Sequence, residues 1–216
     1  MLKARHATLI LLTLLLCACQ SAYYGAMEKV GYHKRDIMIN RVEEVQDAQT
    51  DAKEQFSSAL EQYQAMVNTP DSELQDYYDK LNSEYEDSKE AAQEVTDRID
   101  AVENVSEALF EEWKEEINLY SNTDLKRQSL SKMNGTKKKY NSLMKSMRQA
   151  EERMNPVLSA LQDQVLFLKH NLNARAIDSL KGELKNIQTD VAQLIKDMEK
   201  SIAESNSFIE GLKNTG

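Results

Sequence analysis

The clearest chemistry written into this chain of 216 residues is acyl transfer to a cysteine. Leu16-Cys17-Ala18-Cys19 sets apolar, small and Cys residues in the order of a bacterial lipoprotein box. It closes an apolar run from Ala7 to Ala18, broken only by Thr8 and Thr13 and preceded by Lys3 and Arg5. That run is far short of the roughly 20 residues a membrane-spanning helix needs, but it suits the apolar region of a secretory signal. A signal peptidase needs small side chains at its cut. Ala18 then precedes the cut, and Cys19 becomes the new N-terminus and the diacylglycerol acceptor. Cys17 fits less well, because Leu16 would precede that cut. An ordinary secretory signal cut near Ala22 and a retained N-terminal anchor are the competing readings.

On the first reading residues 1–18 are a signal peptide that is removed, 19–36 are the lipidated N-terminus and tether, and 37–213 are the folded body. The two cysteines of the chain are Cys17 and Cys19, so the mature body has no free thiol, although an oxidising envelope permits disulfides. Its stability must come from packing. Gln20 stands where a retention signal for the inner membrane would place Asp, which favours the outer membrane, facing the periplasm; the choice of membrane stays open.

Other chemistry lacks its parts. Only His33 and His170 lie beyond the signal, in separate segments and with no Glu-x-x-His, so neither a zinc nor a di-iron site is expected, and no cofactor. Neither histidine accompanies a Gly-framed nucleophile turn, and no catalytic residue is assigned. Glu111-Glu112 and Glu115-Glu116 are read as a solvated or basic-facing helix surface. The cluster Lys137-Lys138-Lys139 has the composition of a nucleic-acid site, but an exported acidic protein meets no genome. Pairing with an acidic helix is the expected use, with anionic head groups or phosphorylated glycan as the alternative.

Two further stretches depart from helical monotony. Tyr23, Tyr24 and Tyr32, followed by His33-Lys34-Arg35, form either a tether whose tyrosines rest at the membrane interface or a docking element. In the stretch 164–175, Val165-Leu166-Phe167-Leu168 are four consecutive apolar residues before His170. They cannot all share one helical face, so this end is either covered by several helices or exposes an interaction patch.

The elements that carry these residues are helices. Six Gly and two Pro are too few for the many tight turns of a sandwich, barrel or doubly wound sheet. Heptad seams run through Met38–Met66, Leu74–Tyr120, Leu130–Leu168 and Leu180–Leu212, with polar entries at Gln49, Ser88, Ser106, Glu116, Lys137, Glu151, Ser201 and Ser205. Thr69-Pro70 reads as a cap with Pro at the first helical position, and Ser121-Asn122-Thr123-Asp124 as a turn. The last turn is placed at His170–Asn173, with Pro156 a kink; a turn at Asn155-Pro156 is the alternative. The fold expected is all-α, an elongated four-helix bundle of long antiparallel helices with coiled-coil-like heptad packing, each of about 40 to 50 residues and 60 to 75 Å.

The chain carries a net charge of −9, unevenly spread. Residues 71–121 hold 17 acidic and 4 basic side chains, whereas 124–170 hold 10 basic and 4 acidic. An acidic helix joined by a short turn to a basic one should fold back on it, with the charges setting register and partner more than stability.

The peptides Tyr-Tyr-Gly-Ala-Met-Glu-Lys-Val-Gly (23–31) with Lys34-Arg35-Asp36, Tyr78-Asp79-Lys80-Leu81, and Asp163 through Ala176 carry a resemblance. Through them the whole mature chain resembles domain-of-unknown-function family 2959, uncharacterised envelope proteins of Gram-negative bacteria. The resemblance implies a helical, exported protein and supplies no catalytic residue, cofactor or mechanism.

The expectation is a non-enzymatic lipoprotein. It is held to a membrane by its N-terminal lipid, projects as a helical scaffold, and binds an envelope protein partner, with homo-oligomers compatible and no nucleic acid. A lipid-binding or membrane-remodelling module is the alternative, and an enzyme with an unrecognised site the third.

Overall fold

The computed structural model describes residues 33–68, 74–171 and 174–214. They form four long helices: α1 (Lys34–Asn68), α2 (Leu74–Leu119), α3 (Thr123–His170) and α4 (Ala174–Lys213). Among the described residues there is no strand, and no helix is long and apolar enough to cross a membrane.

Each helix buries a stripe at alternating steps of three and four. On α1 the stripe is Met38, Val42, Val45, Gln49, Ala52, Phe56, Ala59, Tyr63 and Met66; on α4 it includes Leu180, Ile187, Val191, Leu194, Met198, Ser201, Ser205, Phe208 and Leu212. Four such stripes facing one axis bury one continuous apolar core. Helices adjacent in the chain pack together, and α1 also packs on α4. The arrangement is therefore an up-down-up-down bundle whose neighbours are antiparallel. Its directions are fixed by contacts such as Glu44 with Arg98, at 3.1 Å, and Lys213 with Glu43, at 3.4 Å. Tyr63 closes one such joint, its phenol donating to the Leu180 carbonyl at 2.7 Å. Burial, with the Glu183 charge second, pushes that phenol far above its ordinary range, so it stays protonated and donating.

The turn at 121–124 is built as its residues suggest. Asn122 caps α3, its side-chain oxygen accepting from the amides of Asp124 and Leu125 at 2.9 and 3.1 Å. α3 then runs through Pro156 to His170, with Asn171 as its C-cap. Pro156 is exposed, so the Glu152 carbonyl left without its N–H lies on the solvent side, where a helix tolerates the loss best. The turn expected near Asn171 is the one formed, and the Thr69-Pro70 joint lies outside the described residues.

The helices differ in length, with 35 residues in α1, 46 in α2, 48 in α3 and 40 in α4. α1 falls short of the 40 to 50 residues expected. At the end where α1 begins, Lys34 lies level with Glu112 and Gly211 of α4 lies against Lys139. Among the described residues α4 ends first, and beyond the level of Lys34 only α2 and α3 continue, as a helical hairpin projecting by about 10 Å at 1.5 Å per residue.

Candidate functional site

The bundle end where the chain enters carries the densest group of unusual side chains. His33 is exposed, and Lys34, only 12% exposed, reaches across to the Glu112 carboxylate at 3.0 Å. This partly desolvated ion pair pins the start of α1 to α2. Beside it opens a cavity of about 570 Å³ lined by His33, Arg35, Leu109, Trp113, Glu116 and Leu212 among others. Trp113, the one tryptophan of the chain, donates from Nε1 to the Ser129 hydroxyl at 3.0 Å and ties α2 to α3. One turn deeper, Phe110 meets Tyr140 edge-on with centroids 5.6 Å apart, and Tyr140 meets Phe208 at 6.4 Å. This aromatic ladder joins α2, α3 and α4. Burial raises the Tyr140 phenol above its ordinary value, against a hydrogen bond with Ser106 that lowers it.

Lys137, Lys138 and Lys139 stand exposed on α3 close to this end. Lys137 lies 5.9 Å from the Phe110 ring centroid, in cation–π range, and the Lys139 side chain covers Gly211. Among the described residues no carboxylate lies within salt-bridge distance of the three lysines, so the pairing expected of them with the acidic α2 is made elsewhere. Arg148 makes it. Its guanidinium donates to Asp100 at 2.6 Å, to Glu103 and to Glu151 at 2.9 Å. Burial works against its charge, and the three carboxylates outweigh that, raising its pKa further above the physiological range. The planar fork of Arg, with five donors in fixed geometry, can serve several carboxylates at once. Arg148→Gln should therefore cost about 1 kcal/mol, an effect that shrinks as salt rises because the cluster is partly solvated; urea melts at low and high ionic strength check this.

The other candidate patch is at the opposite end, roughly 45 Å along α3 at 1.5 Å per residue. The apolar run divides there: Val165 and Leu168 enter the core, while Leu166 and Phe167 remain 51% and 38% exposed and His170 faces solvent. The proposed interaction residues thus form two separate surfaces. Cys19, Ala18, Tyr23, Tyr24 and Tyr32 lie outside the described residues. Among the described residues no three His, Cys, Asp or Glu side chains are grouped to hold a metal ion.

Sequence reasoning missed the hairpin tip. Leu119 is 83% exposed, with Tyr120, Leu125 and Leu130 also exposed. The signal is in the chain: the α2 seam turns polar at Glu116, and no heptad seam joins Tyr120 to Leu130.

A model of the family described as "Protein of unknown function (DUF2959)" matches residues 23–212. No curated protein and no solved structure matches the chain.

Proposed function

The chain belongs to that family of unknown function, and from this premise we propose that it is a non-enzymatic lipoprotein of the cell envelope: a helical rod held to a membrane by acyl chains on Cys19 and acting through its outer surfaces. The observation that carries this reading is where the first described helix begins. Helix α1 starts at Lys34, fifteen positions after Cys19, and it starts at one end of the bundle. A chain anchored at Cys19 would therefore hold the rod by its end and present helices of up to 48 residues, about 70 Å, to the surrounding compartment. The bundle interior is filled by side chains such as Phe56, Tyr63, Leu143 and Met147, which leaves the outer faces for partners. Two acyl signals or more are needed for stable anchoring, and a triacylated cysteine meets that condition. Gln20 favours the outer membrane, facing the periplasm.

Cys19→Ser tests the reading. Cells fed a labelled fatty acid should label the native chain, and the variant should lose that label and leave the membrane fraction or accumulate as precursor. Undiminished labelling of the variant would remove Cys19 as the acceptor.

A further inference from the structure

The geometry points to the α2–α3 hairpin tip as a membrane-contacting surface that dips Leu119, Tyr120 and Leu125 into the phospholipid bilayer in which the Cys19 acyl chains sit; this rests on the lipoprotein reading above. Six large apolar side chains are exposed among the described residues, and four of them, Leu119, Tyr120, Leu125 and Leu130, belong to this hairpin. Three flank the turn itself, on a projection that α1 and α4 do not reach. The first described helix begins at the same end: Lys34 is level with Glu112, only seven residues from Leu119.

The reach is sufficient. Residues 20–33, fully extended at about 3.3–3.6 Å each, span some 45–50 Å, several times the roughly 10 Å by which the tip projects beyond Lys34. Anchoring at Cys19 therefore lets the tip meet the bilayer, whereas the Leu166–Phe167 end, about 55 Å from the level of Lys34 at 1.5 Å per residue, lies beyond that reach. A bilayer fits this surface better than a protein does. A standard protein interface buries about 800 Å² on each partner, whereas the tip offers a few side chains at the apex of two helices. Lipid accepts small apolar wedges with no complementary shape, and a tyrosine with one apolar and one polar end suits the head-group level. The polar backbone at the apex is partly satisfied already by the Asn122 cap. Charge does not drive the contact: Lys114, Lys126 and Arg127 offset Glu115, Glu116 and Asp124 around the tip. Contact should therefore persist at high salt, unlike a side-on contact made by the Lys137-Lys138-Lys139 face.

The test couples the mature chain, residues 19–216, through its single thiol at Cys19 to a maleimide phospholipid in vesicles of phosphatidylethanolamine and phosphatidylglycerol with brominated acyl chains. This coupling makes the result independent of whether Cys19 is acylated in cells, which the labelling experiment above reads separately. Leu119→Trp should show a blue shift and loss of emission to bromine quenching, unchanged by raised salt. Leu166→Trp, an exposed position at the far end, should show neither. Equal quenching at both positions, quenching that vanishes with salt, or no quenching at Leu119→Trp beyond that of the native Trp113 would each overturn the proposal. Loss of signal on adding a second, unlabelled copy of the chain would do so too, because it would assign the tip to self-association.

Discussion

Phe56→Ala should lower the stability of the bundle by about 3–5 kcal/mol, toward the upper end of what large-to-small core changes cost. The reason lies in its neighbours on α1. Ala52, Phe56, Ala59 and Tyr63 are consecutive members of one buried stripe, each with no measurable exposure. The two alanines let the facing helices approach closely, and the ring fills the space that remains between those approaches. Truncation would place three alanines in succession, 52, 56 and 59, with no long side chain on α1 able to swing into the gap. A cavity that cannot collapse retains its full penalty, since its lining loses dispersion contacts outright. For a folded unit of this size each kcal/mol shifts the melting temperature by about 2–4 °C, so thermal unfolding followed by circular dichroism should show a midpoint lowered by about 6–20 °C. Leu166→Ala, at a half-exposed position, should move it little.

How legible the fold was in the chain depends on how many helices surround a given stretch. Where four helices run together, the heptad steps located the core almost residue by residue: every member of the α4 seam is buried except the partly buried Leu184. Ser88, Ser106, Ser201 and Ser205, polar entries in those seams, are buried as well, because position outweighs side-chain type once the backbone is committed. The seams fail toward the hairpin tip, where α1 and α4 run out. Glu116, Tyr120 and Leu130 are exposed and Ile117 is buried instead; deeper in the bundle, where Gly211 of α4 lies against Lys139, Lys137 is exposed while Thr136 turns inward. A two-helix hairpin buries a narrower stripe, rotated from the one that faces a four-helix axis. Periodicity carries the direction of burial but not the number of partners, and helix length differences became visible only with the ends in place. Charge was legible in sign and not in detail. The basic α3 does fold back on the acidic α2, yet the pairing is concentrated on Arg148, since reach and fork geometry, which composition does not encode, select one cation among ten.

The anchor and the interaction surfaces differ in the same way. A signal sequence is a local code, read along the chain by its processing enzymes, so Cys19 could be singled out without a fold. A surface patch is assembled from distant segments: Leu119 and Leu125 become one apex only because Asn122 turns the chain between them, and the same turn brings Trp113 to Ser129.

Gln49→Leu should stabilise the protein by about 1–3 kcal/mol. Gln49 is the one polar member of the α1 stripe and has no exposure, and neither its amide oxygen nor its amide nitrogen has a hydrogen-bond partner. A buried amide without partners costs about 1–3 kcal/mol on the scale of protein mutations. Leucine is close in volume, keeps the a/d step between Val45 and Ala52, and adds apolar contact. The expected readout is a melting midpoint raised by several degrees. A lowered midpoint would mean instead that the amide is satisfied in solution, and that its removal orphans a partner. The persistence of a destabilising glutamine in the centre of an otherwise apolar stripe has a physical use in bundles of this kind, where one polar core residue disfavours slipped registers and alternative oligomers. Gln49→Leu should then also broaden the assembly state: light scattering of the mature chain should find more than one species in the variant, and one in the native protein. A stabilised variant that stays as uniform as the native chain would leave Gln49 with an energetic cost and no specifying role.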